Sequence, residues 1–184
     1  MLDQYTARTE DRITGEEAAE LWGAYDSSYR SYNENSPVRE SLRKCDFLDD
    51  LANPSFIKVA VRDYQGVIVG LAICTFDLEL LPWISSDFFS KHFPDEYGRI
   101  LYVAGMFIRP DKRGVKASTP LMLEMRRVLR EHGGRFTGFD CSLKLQPWLP
   151  KVVMDATGAI TVPSTFETGA VEHQVYYLLE DVDR

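Results

Sequence analysis

The sequence predicts an α/β (α+β) fold, a mixed and mostly antiparallel central sheet flanked by helices, in a single domain spanning residues 1–184. Three observations carry that expectation. A chain of 184 residues is long enough to bury one sizeable core and short for two. Its apolar runs switch between strand-like and helix-like periods along its whole length. Near the middle, a strand, a basic turn, a helix and a second strand follow one another, as in a right-handed crossover, with hairpins on either side that make the sheet mixed.

Taken in order, "QYTAR" from Gln4 to Arg8 reads as a short strand. "TGEEAAELWGAYDSSYRSY" then reads as a helix. Thr14 can cap it, with Glu17 three residues on, and Ala18, Leu21, Trp22 and Tyr25 form a stripe that Tyr29 and Tyr32 extend. "NENSP" ends it, and "VRESLRKCDFLDDLA" is a second helix stopped by Asn53-Pro54. "FIKVAVRD" and "VIVGLAICTF", joined by Tyr64-Gln65-Gly66, make a hairpin. Residues from about 80 to 98 form an insertion with a short helix and the aromatics Trp83, Phe88, Phe89 and Phe93. "RILYVAGMFI" is a buried strand, too apolar to alternate. "TPLMLEMRRVLREH" is a helix with Leu121, Met125, Val128 and Leu129 inside and Arg126, Arg127 and Arg130 facing water. Because proline is tolerated in a first turn, Pro120 places the start of this helix near Ser118 or Thr119. Gly133-Gly134 ends it. "RFTGFDCS" is a strand, "QPWLPKVVMDATG" a shorter helix, and "AITVP" and "HQVYYLLE" are closing strands.

Composition narrows the function classes. The net charge of −7 argues against a general nucleic-acid or anionic-membrane binder. No apolar run is long enough to cross a bilayer. The first ten residues lack the apolar core of a secretory signal, so a cytoplasmic protein is expected. Three widely spaced cysteines, Cys45, Cys74 and Cys141, form neither a disulfide framework nor a zinc pattern, and no metal is expected.

The most informative stretch is "FIRPDKRGVKAS", Phe107 to Ser118. An apolar strand ends at a proline, and cations crowd the entrance to a helix. The amides of a helix start and its dipole favour an anion there. Together with the element order, "MFIRPDKRGVKASTPLMLEM" resembles the GNAT superfamily of N-acyltransferases, whose pattern at this place is V-x-P-x-x-R-G-x-G-x-G/A-x-x-L-L. Ile108 takes the valine position, Pro110 the proline, Arg113 and Gly114 the start of the pyrophosphate loop, and Leu121 and Met122 the apolar pair. "RDYQGVIVGLA" is similar to the preceding hairpin of that family. Lys116 stands in place of a usual glycine and Ser118 in place of the final Gly/Ala.

The resemblance implies transfer of an acyl group from a pantetheine thioester to an amine of a small-molecule acceptor. The donor is acyl-CoA, such as acetyl-CoA, or an acyl carrier protein. It implies backbone contacts to the pantetheine arm and thioester from Met106, Phe107 and Ile108, and to phosphate from Arg113, Gly114, Val115, Lys116, Ala117, Ser118 and Thr119. It places an acceptor cleft by the first two helices, where Tyr29 and Tyr32 would line it and the insertion with Trp83 would cover it.

Two departures stand out. The family's strand carboxylate has no counterpart between Leu101 and Phe107, and its helix tyrosine falls on Met154. Asp77 and Glu79, which alternate onto one face after the hairpin, are the first choice for a base, with His173 a lone further candidate. Cys141, Ser142 and Tyr176 are substitutes for the acid, and Cys141 could equally be a nucleophile. Two other readings stay open: a catalytically inactive GNAT-fold binding or regulatory protein, and a specialised biosynthetic enzyme using a carrier-protein or aminoacyl-tRNA donor. The acidity of the chain counts against the tRNA version.

Overall fold

The computed structural model describes residues 5–35, 41–142, 160–166 and 174–180. The strands are β1 (Tyr5–Glu10), β2 (Ile57–Asp63), β3 (Ile68–Thr75), β4 (Leu101–Ile108), β5 (Phe136–Ser142), β6 (Ile160–Phe166) and β7 (Gln174–Glu180). The helices are α1 (Gly15–Asn35), α2 (Lys44–Ala52), α3 (Ser86–His92) and α4 (Val115–Glu131), with short 3-10 turns at Leu78–Leu80 and Pro110–Lys112. One seven-stranded sheet has the order β1-β2-β3-β4-β5-β7-β6. β4 and β5 are parallel, while β1 with β2, β5 with β7 and β6 with β7 are antiparallel. The expected mixed sheet flanked by helices is what forms, and the final strand inserts between β5 and β6. The expected helix at Gln146–Gly158 lies outside the described residues.

Two expectations need correcting. α2 begins at Lys44, not Val38, because Ser41 to Arg43 are committed elsewhere. The Leu42 N–H donates to the Tyr25 hydroxyl at 3.0 Å, and Ser41 Oγ accepts from Asn33 Nδ2 at 2.7 Å. α4 begins at Val115, so Pro120 lies inside the helix and not in its first turn. Gly114 is the reason. With φ of 141° it turns the chain early, and its carbonyl accepts from the N–H groups of Ala117 and Ser118. Pro120 then has no N–H to give the Lys116 carbonyl. The buried stripe of α4 includes Ala117 and Met122 beside the expected Leu121, Met125, Val128 and Leu129. Arg127 and Arg130 are exposed as expected, but Arg126 is half-buried.

The chain divides into two compact units, Met1–Ile73 with Gly105–Glu124, and Cys74–Ala104 with Met125–Arg184. The first unit is organised by an aromatic cluster. Tyr25 stacks on Phe47 with centroids 4.5 Å apart and meets Phe107 edge-on at 5.7 Å, so α1, α2 and the end of β4 share one core. A fully buried lysine closes the bottom of α2. Lys58 Nζ donates to the carbonyls of Asn53 and Phe56, each at 2.8 Å, where a helix C-terminus offers carbonyls and negative partial charge. At the hairpin end, Arg62 pairs with Glu10 at 2.9 Å and Glu17 at 2.8 Å and donates to the Gly66 carbonyl at 2.8 Å.

The second unit packs the aromatics of the insertion. Phe89 meets Tyr102 edge-on, and Phe93 meets Phe136. Phe76 stacks flat on His132 with centroids 4.0 Å apart. Gly138 lets the Tyr102 ring lie against β5, since a Cβ there would stand 2.6 Å from that ring.

Candidate functional site

In the first unit the residues singled out by the motif come together around the end of β4. The Arg109 N–H donates to the Val69 carbonyl at 2.8 Å, which turns the polar groups of Arg109 toward β3. Strand alternation then turns those of Phe107 the same way and those of Met106 and Ile108 to the opposite edge. Of the three residues expected to meet the donor's arm, Met106 and Ile108 thus present their amides away from β3. β5 pairs with β4 at Leu101 and Tyr102. A Cβ on Gly70 would stand 2.3 Å from the Ile108 side chain, so the glycine of the "IVG" hairpin makes room for it.

Two consecutive residues of α1 reach this region. Tyr29 donates its hydroxyl to the Met106 carbonyl at 2.6 Å. The Ser28 carbonyl accepts from Arg113 Nη2 at 3.3 Å. Beyond β4, Arg109 folds inward, its Nε donating to the Ile68 carbonyl at 2.9 Å, which leaves Lys112, Arg113 and Lys116 as the exposed cations of the loop. Lys112 also lies 3.8 Å from Asp111. The N–H groups of Val115 and Lys116, in the first turn of α4, have no acceptor within the helix. Ala117 is buried, while Ser118 returns its hydroxyl to the Gly114 carbonyl at 3.1 Å and Thr119 is half-buried.

In the second unit, Asp77 caps the 3-10 turn by accepting from the Glu79 N–H at 3.1 Å, and Glu79 accepts from the Tyr97 hydroxyl at 3.2 Å. Both acids are exposed. A carboxylate that sequence reasoning passed over is held more firmly. Asp140 on β5 accepts from the Tyr102 hydroxyl at 2.8 Å, with the half-exposed Trp83 as a further donor. Burial pushes its carboxyl up, against the lowering effect of those hydrogen bonds. No cation pairs with it among the described residues. The signal available in the sequence was a single acid inside the apolar strand "FTGFDCS". Cys141 and Tyr176 fall on β5 and β7, where Tyr176 is opposite Asp140 and Cys141 opposite Val175. The side chains of Cys141, Ser142, Tyr176 and Tyr32 lie outside the described residues, as do His173 and Met154. The described residues hold no cluster of metal-ligating side chains and no helix long and apolar enough to cross a membrane.

Solved structures share this architecture along nearly the whole chain. An acetyltransferase of the GNAT family from Listeria monocytogenes matches with a TM-score of 0.62 at 11% identity, covering 95% of this chain and 92% of its own. The fold is that of the GNAT acyltransferases. Another GNAT-fold match is yncA from Salmonella typhimurium, solved with its cofactor acetyl-CoA, with a TM-score of 0.62 at 11% identity, covering 98% of this chain and 96% of its own. The ribosomal-protein-S18-alanine N-acetyltransferase of Escherichia coli shares the GNAT fold with a TM-score of 0.62 at 8% identity, covering 96% of this chain and 94% of its own. No protein-family model matches the sequence, and no curated protein matches it.

Proposed function

We propose that residues 1–184 act as one cytoplasmic N-acyltransferase domain, moving an acyl group from a pantetheine thioester to an amine of a small molecule. The observation that carries this reading is the end of β4. An outward edge at Met106 and Ile108 runs directly into a glycine turn, three exposed cations and the open amides of a helix start. An extended pantetheine arm would pair with the strand edge, and its phosphates would meet Arg113, Lys116 and the amides of Val115 and Lys116. Acyl-CoA supplies both parts, and acetyl-CoA is the donor of choice by analogy with the ligand of yncA.

The chemistry requires a polarised carbonyl, a deprotonated amine and a protonated leaving sulfur. An outward amide of β4 would stabilise the oxyanion as it forms. Asp77 and Glu79, both exposed, are the candidates to take the amine's proton.

Thermal shifts with acetyl-CoA, longer acyl-CoAs, coenzyme A and pantetheine test the reading. Donor binding raises the melting temperature by mass action, with coenzyme A esters well ahead of pantetheine. A flat response to all four overturns it. The absence of an acid from Leu101 to Phe107 and of a tyrosine at Met154 favours one rival, a GNAT-fold binding protein without transfer. That rival predicts the same shifts with no thiol released on adding amines. A carrier-protein donor predicts that free coenzyme A fails to compete.

A further inference from the structure

We propose that Tyr29 protonates the leaving sulfur, an inference that rests on the acyl-transfer reading above. A thioester donor expels a thiolate, and a good catalyst places a proton donor at that sulfur. The sequence offers none where the resemblance would put it, since that position is Met154. The Tyr29 hydroxyl, by contrast, stands 2.6 Å from the Met106 carbonyl, on the edge of β4 that the pantetheine arm would follow. With the Met106 carbonyl taken by Tyr29, a ligand paired with the Met106 N–H on the same edge would lie beside the phenol.

The position is firmly set. Tyr29 is half-buried and its ring packs on Tyr25 with centroids 4.9 Å apart. Tyr25 is itself locked between Phe47 and Phe107. The phenol is thus aimed by the same core that holds the end of β4. In the step, the amine's lone pair adds to the thioester carbonyl. As the tetrahedral intermediate collapses, the C–S bond breaks and its electron pair stays on sulfur. The Tyr29 O–H proton passes to that sulfur. The phenolate left behind recovers a proton through solvent from the nitrogen that became the amide, so the products are amide and free thiol and the protein returns to its starting state.

The test uses coenzyme A and acetyl-CoA as probes and needs no knowledge of the acceptor. Calorimetric titrations run from about pH 7 to about pH 9, across the ordinary ionisation of a thiol. A phenol beside the sulfur stabilises its thiolate through a charge-assisted hydrogen bond. In the unaltered protein the preference for coenzyme A over acetyl-CoA therefore rises by about tenfold over that range. Tyr29→Phe abolishes the rise and leaves the affinity for acetyl-CoA little changed. A pH-independent preference in the unaltered protein overturns the role of Tyr29 without recourse to any variant, as does a rise that survives in Tyr29→Phe. In either of those cases binding of both probes leaves the acyl-transfer reading intact. Failure of both probes to bind overturns that reading and this role together.

Discussion

Asp140 is a carboxylate whose surroundings oppose its charge. Burial raises its pKa, and its hydrogen bonds from the Tyr102 hydroxyl, a backbone N–H and the Trp83 side chain come from neutral donors that only partly offset this. A raised carboxylate pKa means that the folded state holds the proton more tightly than the unfolded chain. Its stabilising effect is therefore present at acid pH and is lost as pH rises from the unfolded value through the folded one. Asp140→Asn keeps an oxygen for Tyr102 and cannot ionise. Urea midpoints measured against pH should show this variant gaining on the parent as pH rises through that window, and parallel curves would contradict the assignment. Cys74 makes the opposite point about reactivity. Fully buried, its thiol is pushed up to about 12, which leaves Cys45 as the accessible thiol of the two whose surroundings are described.

At the level of elements, the end of α2 depends on Lys58. Its ammonium donates to two carbonyls, and burial lowers its pKa in return. Asp50, raised to about 6 chiefly by burial, lies close enough for each group to oppose the other's shift. Lys58→Met should destabilise the fold by about 1–3 kcal/mol in chemical denaturation, the cost of the lost bonds to the Asn53 and Phe56 carbonyls, of which Asn53 keeps the Phe56 N–H. α1 offers the opposite change. Gly23 sits mid-helix, exposed, and a Cβ there would meet nothing within 4 Å. Gly23→Ala should stabilise by about 0.5–1 kcal/mol, and no gain in thermal midpoint would show that the site needs its glycine. The loop before α4 has the clearest functional expectation. Arg113→Glu and Lys116→Glu should each weaken acyl-CoA binding by about 1–3 kcal/mol, with donor KM raised and kcat little changed. Both side chains are exposed, so the loss should shrink in high salt. Equal donor affinity in both variants and the parent would reduce the loop to a turn.

For the molecule as a whole, the strands and helices with strong periodicity were legible. The stripe of α1, the hairpin of β2 and β3 and the apolar run of β4 all form where the pattern puts them. The misplaced starts of α2 and α4 share a physical origin. A helix start is decided by which backbone groups find partners elsewhere, and the hydrogen bond from Leu42 to Tyr25 and the φ of Gly114 are tertiary and conformational facts that periodicity does not encode. The candidate site divides in the same way. A motif of consecutive residues, Met106 to Thr119, can be read along the chain. Pairs such as Tyr29 with Met106 and Tyr102 with Asp140, separated by 77 and 38 positions, cannot.

The attachments of α1 have one more consequence. Glu17 ties its first turn to Arg62, while Ser28 and Tyr29 tie its later half to Arg113 and Met106. If phosphate draws Arg113 away from the Ser28 carbonyl, the later half of the helix loses a tether that the first turn never had. Amide hydrogen exchange should then quicken from about Tyr29 onward when acyl-CoA binds, and stay constant near Glu17. Unchanged exchange in both halves would show that Arg113 stays where it is. The helix would thus act as an internal gauge of the loop, readable in the unlabelled protein before any acceptor amine is known.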